Sequence, residues 1–583
     1  MKKVYQKQII GAILLIILTF FLYFPTLARN VYTEDSAELI AASHTLSVAH
    51  PSGYPIYLMS SKLFSLFKLS PSISTNMNFF SLLLTIAAIV ILYFSLLKLF
   101  KNALIGFSLS FLFAISPMVW LQATYAEVYS LNTLFIASLL WLYLYYQEKP
   151  SLKRLYLFIF FYGLSLTNHY LPLAISPLIF GWLIFKFPLL KNFKLYAKLF
   201  GFWILGLTPY LYIPIRSRMN PAFSWFNGDA YGILSYNIAY GHKISLHTLK
   251  YLADVFEQLI GSFGIFGLTG FILGIILMIY YKSKYRYMTL ILLFLLSGGM
   301  IIALTGGGEY TQFAGWFYTN LYIPFLMISL IPIGYTLKWI FNSKYKMMFF
   351  YTSLIAILIW PVTEIGARSL LNDRSKYIFL DNYSSHILNS LPANAILFTY
   401  HNNVVNDPLV FGLGFQRYVK NLRKDITIYS LTSIFPLPDN FPKKEATKHS
   451  DDYQAFFKKY IEKEFANAKN IYSTFPYPDS EIFLSTSIGP VYKLTPKMES
   501  TPSIQLSDYY SADNLYLPSV NDNFFHKATI AKYYYDLAVM QYSKGRLKSG
   551  QWFLIKAIEY DPQEFSKFYN NTISIRNQIF NID

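Results

Sequence analysis

Runs of about twenty residues almost free of charge recur along the first two thirds of this 583-residue chain, and no other feature constrains its fold as strongly. The first, Ile9 to Leu27, holds no charged side chain. A helix rises about 1.5 Å per residue, so such a run crosses the roughly 30 Å hydrocarbon core of a bilayer. Comparable spans are Phe79 to Leu99, Leu104 to Met118, Leu131 to Tyr146, Leu155 to Leu166, Leu171 to Phe187, Leu199 to Ile215, Ile260 to Tyr281, Met288 to Leu304, Phe317 to Ile340 and Met347 to Ile365. They predict an α-helical polytopic membrane protein with about eleven transmembrane helices. Composition agrees, since 54% of residues are hydrophobic and only 14% charged, against roughly 25% charged in soluble domains.

The formal net charge of +18 would suit nucleic acid if the basic residues formed one patch, but they lie in short clusters between apolar spans. Nucleic acid is therefore not an expected partner. These clusters, such as Lys2, Lys3 and Lys7, then Lys98 and Lys101, then Lys149, Lys153 and Arg154, fall in alternate loops. By the positive-inside rule those loops and the N-terminus are cytoplasmic, and the other loops and everything after Arg368 face outward. The N-terminal apolar run exceeds a signal-peptide core and lacks a small-residue cleavage site, so it reads as a retained helix. The absence of cysteine excludes disulfides, thiolate nucleophiles and Cys-based zinc sites. No phosphate-binding P-loop, H-E-x-x-H or G-x-S-x-G motif occurs.

The outward loops hold the residues suited to chemistry. The first carries Glu34, Asp35, Glu38, His44 and His50 directly after an uncharged span, and charge set against a membrane is costly unless it is used. Asp35 and Glu38 share one face of a helix starting near Thr33, where they can equally complement a helix N-terminus. The stretch AELIAASHTL reads as an amphipathic helix lying in the interface, followed by the rigid turn His50-Pro51-Ser52-Gly53-Tyr54-Pro55. Later loops supply Gln122 and Glu127, Asn168 and His169, Arg216 and Arg218, Asp229, and Glu309 after Gly306-Gly307-Gly308. Glu127 serves equally as a helix-start charge, His169 as an interfacial histidine, and Arg216 and Arg218 as headgroup contacts or as a fork for phosphate.

The string DSAELIAASHTLSVAHPSGYPIY, followed in order by WLQATYAEVYSLN, GLSLTNHY and YIPIRSRMNPAFSW, resembles a bacterial membrane family related to protein O-mannosyltransferases, within the GT-C superfamily of polytopic glycosyltransferases. The resemblance spans the first two thirds of the chain; Ser52 stands where that family usually has a second proline. It implies a sugar taken from a polyprenyl-phosphate carrier and passed, with inversion, to a protein or glycan hydroxyl outside a bacterial inner membrane, without a bound nucleotide or essential metal. By position Asp35 is then the catalytic base and Glu38 its alternate. Arg216, with Arg218 in reserve, is expected on the carrier phosphate, while His50, Tyr54, Glu127 and His169 bind the sugar or orient the base. A polyprenyl-lipid or polysaccharide transporter without catalysis is the competing reading.

After Arg368 the chain turns more polar. Ala395 to Tyr400 and Ile426 to Tyr429 read as buried strands around a helix in DPLVFGLGFQRYVKNL; with AFFKKYIEKEFANAK, NIYSTF and PVYKLT they predict an α/β layer. The loop His401-Asn402-Asn403 follows its first strand and is a weak acceptor-binding candidate. Tyr534, Leu537, Ala538, Gly545, Gly550, Leu554, Ala557 and Pro562 have the spacing of one tetratricopeptide repeat. The expected layout is a GT-C-like membrane domain over 1–366, an extracytoplasmic α/β domain over 367–500, and a helical tail with one tetratricopeptide-like repeat over 501–583.

Overall fold

The computed structural model describes residues 2–188, 191–221, 223–225, 230, 248–299, 322–342, 346–399, 407–430, 434–435, 451–467, 469–475, 483–496 and 524–560. Asp229, Gly306 to Glu309, His401 to Asn403 and Pro562 lie outside these residues. The chain divides into two units, neither of them continuous in sequence. The first is built from 1–29, 51–213 and 234–375, the second from 30–50, 214–233 and 376–583.

The first unit is helical. Its long apolar elements are α1 (Lys2–Thr26), α4 (Ile73–Phe100) and α7 (Val128–Glu148), with α8 (Leu152–Leu166) following α7. Before α4 comes the shorter α3 (Pro55–Ser65). Asn102 caps α5 (Ala103–Ala114) by accepting from Leu104 N and Ile105 N, and Pro117 opens α6 (Pro117–Ala123), the two helices meeting at a 69° bend. A proline suits a helix start because its missing N–H would have no partner there. Further along come α9 (Ser176–Lys186), α10 (Phe193–Leu207) and α11 (Tyr212–Ser217), whose residues from Pro214 onward belong to the second unit, then α12 (Thr248–Tyr280), α13 (Arg286–Phe294), α14 (Ile323–Phe341), α15 (Lys346–Thr363) and α16 (Ile365–Asn372).

Among the described residues seven helices are long and apolar enough to cross a membrane, or eight if the bent α5–α6 pair is one span. The expected eleven are thus not reproduced as eleven full spans. The apolar stretch from Leu171 forms a short 3₁₀ turn and then α9, and that from Met288 passes at Leu295 from α-helix into a π-helical turn over Leu295–Gly299. Close approach replaces bulk at several crossings: a Cβ on Gly163 would stand 2.4 Å from Trp203 O, and one on Gly274 would stand 1.9 Å from Pro332 O. Small residues at such crossings let helix backbones touch.

The second unit has its own core. A five-stranded sheet runs in the order β2-β1-β3-β5-β4, from β1 (Ile396–Thr399), β2 (Thr427–Ser430), β3 (Ile471–Ser473), β4 (Phe483–Ser487) and β5 (Tyr492–Pro496). Strands β2, β1 and β3 are parallel, and β5 is antiparallel to both its neighbours. Ile396, Phe398, Ile461, Ile471, Phe483 and Leu494 form the buried cluster at the sheet. Two further helices, Phe524–Ser543 and Leu547–Tyr560, pack on each other around Ala531 and Ala557. Tyr492 of β5 donates to Asp536 of that pair, which also meets Lys532 Nζ.

Candidate active site

The second unit also includes α2 (Ser36–Thr45), contributed by the loop that follows α1. Every residue from Ser36 to Ser43 is buried, because the helix packs against Asp407–Tyr418 of the same unit. The interfacial reading of this stretch is corrected accordingly. Alanine and serine make both faces small, so two sides of the helix are covered at once.

The first turn of α2 carries the chemistry. Asp35 is its N-cap residue by position, yet its carboxylate accepts no N–H from the helix. Glu38 is wholly buried, with one oxygen accepting from His50 N at 2.8 Å and the other paired with His50 Nδ1 at 2.6 Å. A carboxylate accepts, so His50 carries its proton on Nδ1. The other ring nitrogen, Nε2, then faces Asp35 Oδ2 at 3.8 Å. Exposure separates the two acids: the side chain of Asp35 is 32% exposed and that of Glu38 0%. The reachable carboxylate is Asp35, and Glu38 orients the imidazole between them.

Arg216, in the last turn of α11, and the residues that follow this helix secure the loop. Arg216 donates to Thr45 O and Leu46 O at the C-terminal end of α2 and through Nη1 to Met219 Sδ. A cation there complements the helix dipole and satisfies carbonyls that have no partner within the helix. Three of the five guanidinium N–H groups are so engaged, leaving two for an anion. Arg218 is exposed. Ser224 Oγ accepts from Val48 N at 3.0 Å, Trp225 N donates to Val48 O at 3.1 Å, and the Trp225 ring lies 5.8 Å from that of His50. Nothing but its aromatic type marks Trp225 in the sequence, since its partner lies 175 positions away.

Tyr54, Glu127 and His169 belong to the first unit. Glu127 is the N-cap of α7 and accepts from Val128 N, which realises its helix-start role. Burial and the Glu127 charge hold the Tyr57 phenol well above its ordinary range, so it stays a neutral hydroxyl. The His169 ring stacks on Tyr54 (6.1 Å between centroids) and Tyr170 (4.3 Å) and is tilted against Tyr129 (5.5 Å). Its Nδ1 accepts from Leu171 N at 3.0 Å, so in the neutral ring the proton is on Nε2. Asn168 donates to Val128 O, tying the end of α8 to the start of α7. A residue the sequence reading passed over is Arg368, which is buried and donates to Ile115 O, Gly261 O and Ser262 O where α5 ends and α12 kinks near Gly264.

Asp35, Glu38 and His50 each offer a possible metal ligand, and these atoms lie within 4.8 Å of one another. Both oxygens of Glu38 are already held by His50.

Residues 35–191 match the N-terminal domain family of the protein O-mannosyl-transferase TMEM260. The protein O-mannosyl-transferase tmem260 of Dictyostelium discoideum is 26% identical over 487 residues, 74% of this chain and 58% of its own length. Its mouse counterpart is 32% identical over 213 residues, 35% of this chain and 30% of its own. The chain thus spans less than two thirds of these relatives. ArnT from Cupriavidus metallidurans shares the fold at a TM-score of 0.51 and 10% identity in the apo state, with 83% of this chain and 97% of ArnT covered. The form bound to undecaprenyl phosphate gives 0.52 and 9%, over 79% and 92%. The chain is thus similar over residues 35–191 to a protein O-mannosyl-transferase domain family and shares the polytopic fold of ArnT. The match to the family begins at Asp35 itself, so Asp35, Glu38 and Glu127 lie inside the matched region, whereas Arg216 lies beyond it.

Proposed function

We propose that the protein is an inverting membrane glycosyltransferase that moves a mannose-like sugar from a polyprenyl-phosphate carrier to a hydroxyl of a protein or glycan outside the cell membrane. The observation that carries this reading is the Asp35–His50–Glu38 alignment, in which an accessible carboxylate stands next to an oriented imidazole. The relatives named protein O-mannosyl-transferase support the reaction class, and the ArnT fold with undecaprenyl phosphate supports a lipid-borne donor. In the proposed step the acceptor oxygen bonds to the anomeric carbon as the carbon–oxygen bond to the carrier phosphate breaks. Asp35 takes the acceptor proton, and His50 Nε2 can receive it next, the resulting imidazolium being balanced by Glu38. The leaving phosphate gains charge, and the remaining N–H groups of Arg216 are suited to meet it. Tyr54, Glu127 and His169 are assigned to the sugar, and Arg218 is the second candidate for phosphate. No metal is required by this scheme. The N-terminus is assigned to the cytoplasmic side of a bacterial inner membrane, with the α2 loop outside.

The test is transfer from a panel of radiolabelled polyprenyl-phosphate sugars into a membrane extract, with EDTA present and absent, comparing parent protein and Asp35→Asn at equal folded yield. Transfer by the parent, unaffected by EDTA and lost in the variant, is the expected result. Equal transfer by both overturns the role of Asp35, and transfer by neither favours the transporter reading.

A further inference from the structure

The first unit contains a groove of about 840 Å³ bounded by α1, α4, α7 and α8, within the range of small-molecule sites, roughly 300–1,000 Å³. Its polarity is graded. Ile91, Phe94, Leu142 and Phe161 line it with hydrocarbon around the small Ser138, whereas Lys98, Lys101 and Glu148 gather where α4 and α7 end. Lys98 Nζ lies 2.7 Å from one Glu148 oxygen and Lys101 Nζ 4.0 Å from the other, the Lys101 side chain being 70% exposed. Two cations against one carboxylate leave one positive charge. The Trp141 and Tyr145 rings stack 5.0 Å apart beside them, with Lys98 Nζ at 6.0 and 5.6 Å and the Arg154 guanidinium 3.5 Å over Tyr145. Tryptophan and tyrosine beside basic residues at the ends of spanning helices mark the depth of lipid headgroups.

Within the first unit this groove is far from Glu127. Glu127 caps the start of α7 and Glu148 closes it, twenty-one residues later, about 30 Å along a helix. It therefore lies at the opposite end of the unit from the helix starts that carry Glu127. A cavity with a hydrocarbon floor and a cationic rim at headgroup depth matches one kind of molecule in charge and in polarity along its length. Basic pockets between spanning helices at this depth are suited to acidic lipid headgroups.

We infer that this groove is a binding site for an acidic phospholipid, its phosphate on Lys98 and Lys101 and an acyl chain along Phe94, Leu142 and Phe161. The inference is independent of the proposed transferase activity. Glu148 acts as an internal competitor, since it holds the Lys98 ammonium that the phosphate would otherwise meet.

Native mass spectrometry of the detergent-purified full chain, titrated with phosphatidylglycerol or with phosphatidylcholine of the same acyl chains, tests it without any activity assay. The parent is expected to retain phosphatidylglycerol at least about tenfold better than phosphatidylcholine. Lys98→Gln with Lys101→Gln should abolish that preference, Glu148→Gln should strengthen it, and Ser138→Phe should weaken retention of both lipids by filling the floor. Equal retention of the two lipids by the parent overturns the site, as does a preference that survives loss of both lysines. If the double lysine variant fails to fold, Glu148→Gln alone decides: a preference that stays the same or falls removes the headgroup assignment.

Discussion

The two polar clusters of this protein use the same residue types for different ends. In the second unit Asp35, Glu38 and His50 point at one another, and the acid at the open end of the row caps nothing. In the first unit Glu127 caps α7, Asn168 holds a carbonyl of the same helix start, and His169 Nδ1 takes the Leu171 N–H. In the proposed scheme the first set handles the acceptor proton, while Glu127 and His169 also hold backbone N–H groups in place. Asp35→Asn should therefore cause the largest loss of all, about 10²- to 10⁴-fold in transfer, with helicity and elution volume unchanged.

His50→Asn and Glu38→Gln sharpen the same contrast one step back. If Glu38 serves to fix the ring and His50 to receive a proton from Asp35, each variant lowers kcat about 10- to 100-fold, the usual cost of losing a group that orients a reacting one. KM for the lipid-linked donor should stay near the parent value. A rise in KM with kcat preserved would make His50 a sugar contact, the other of the two roles the resemblance leaves open.

Arg216→Met breaks the comparison from the other direction, because this arginine lies in the same unit as the acids yet acts on backbone. Removing it leaves the carbonyls of Thr45 and Leu46 without their cation, and α2 should lose roughly 1.5–3 kcal/mol of support, the range for hydrogen bonds to a charged group. Amide hydrogen exchange within Ser36 to Thr45 would report that loss directly. Glu127→Ala should cost less, about 1 kcal/mol for one N-cap, seen as a lower Tm. Loss of sugar transfer out of proportion to that shift would promote Glu127 to a substrate contact.

How much of this was legible in the chain follows from the range of each interaction. Apolar spans are local, so among the described residues the expected spans fall largely on helices, seven or eight of them long enough to cross a membrane, though α5 and α6 bend apart at Ser116 and Pro117 and the stretch from Leu171 begins as a 3₁₀ turn. The strands Ile396–Thr399 and Thr427–Ser430 overlap the two segments that read as buried strands, and Ile471–Ser473 and Tyr492–Pro496 overlap NIYSTF and PVYKLT. Strand β4, FLSTS, is too polar to be noticed, being held by antiparallel pairing along the whole of β5. Glu38 and His50 are twelve residues apart, close enough for one loop to suggest them as partners. Arg216 meets Leu46 across 170 residues and Arg368 meets Ile115 across 253, and no local pattern encodes such pairs. Helix α2 shows the other limit. Its alanines and serines give no contrast between faces, so composition alone leaves it on a membrane surface when packing buries it in a folded unit.

The smallest expected effect concerns pH and belongs wholly to the second unit. His386, in the helix Phe379–Ser390, is held below its ordinary value of 6.5 by burial. The unfolded chain therefore binds a proton more readily than the folded one. The stability linked to this group is present above about 6.5 and is lost as pH falls through the lower folded value. Lowering the pH from 7 to 5 should reduce Tm, and His386→Gln should shrink that reduction while leaving Tm at pH 7 close to the parent value. The Asp35–His50–Glu38 row is intact in this variant, so sugar transfer at pH 7 should be unchanged. A pH response of Tm identical in variant and parent would assign the acid sensitivity of the fold to other groups.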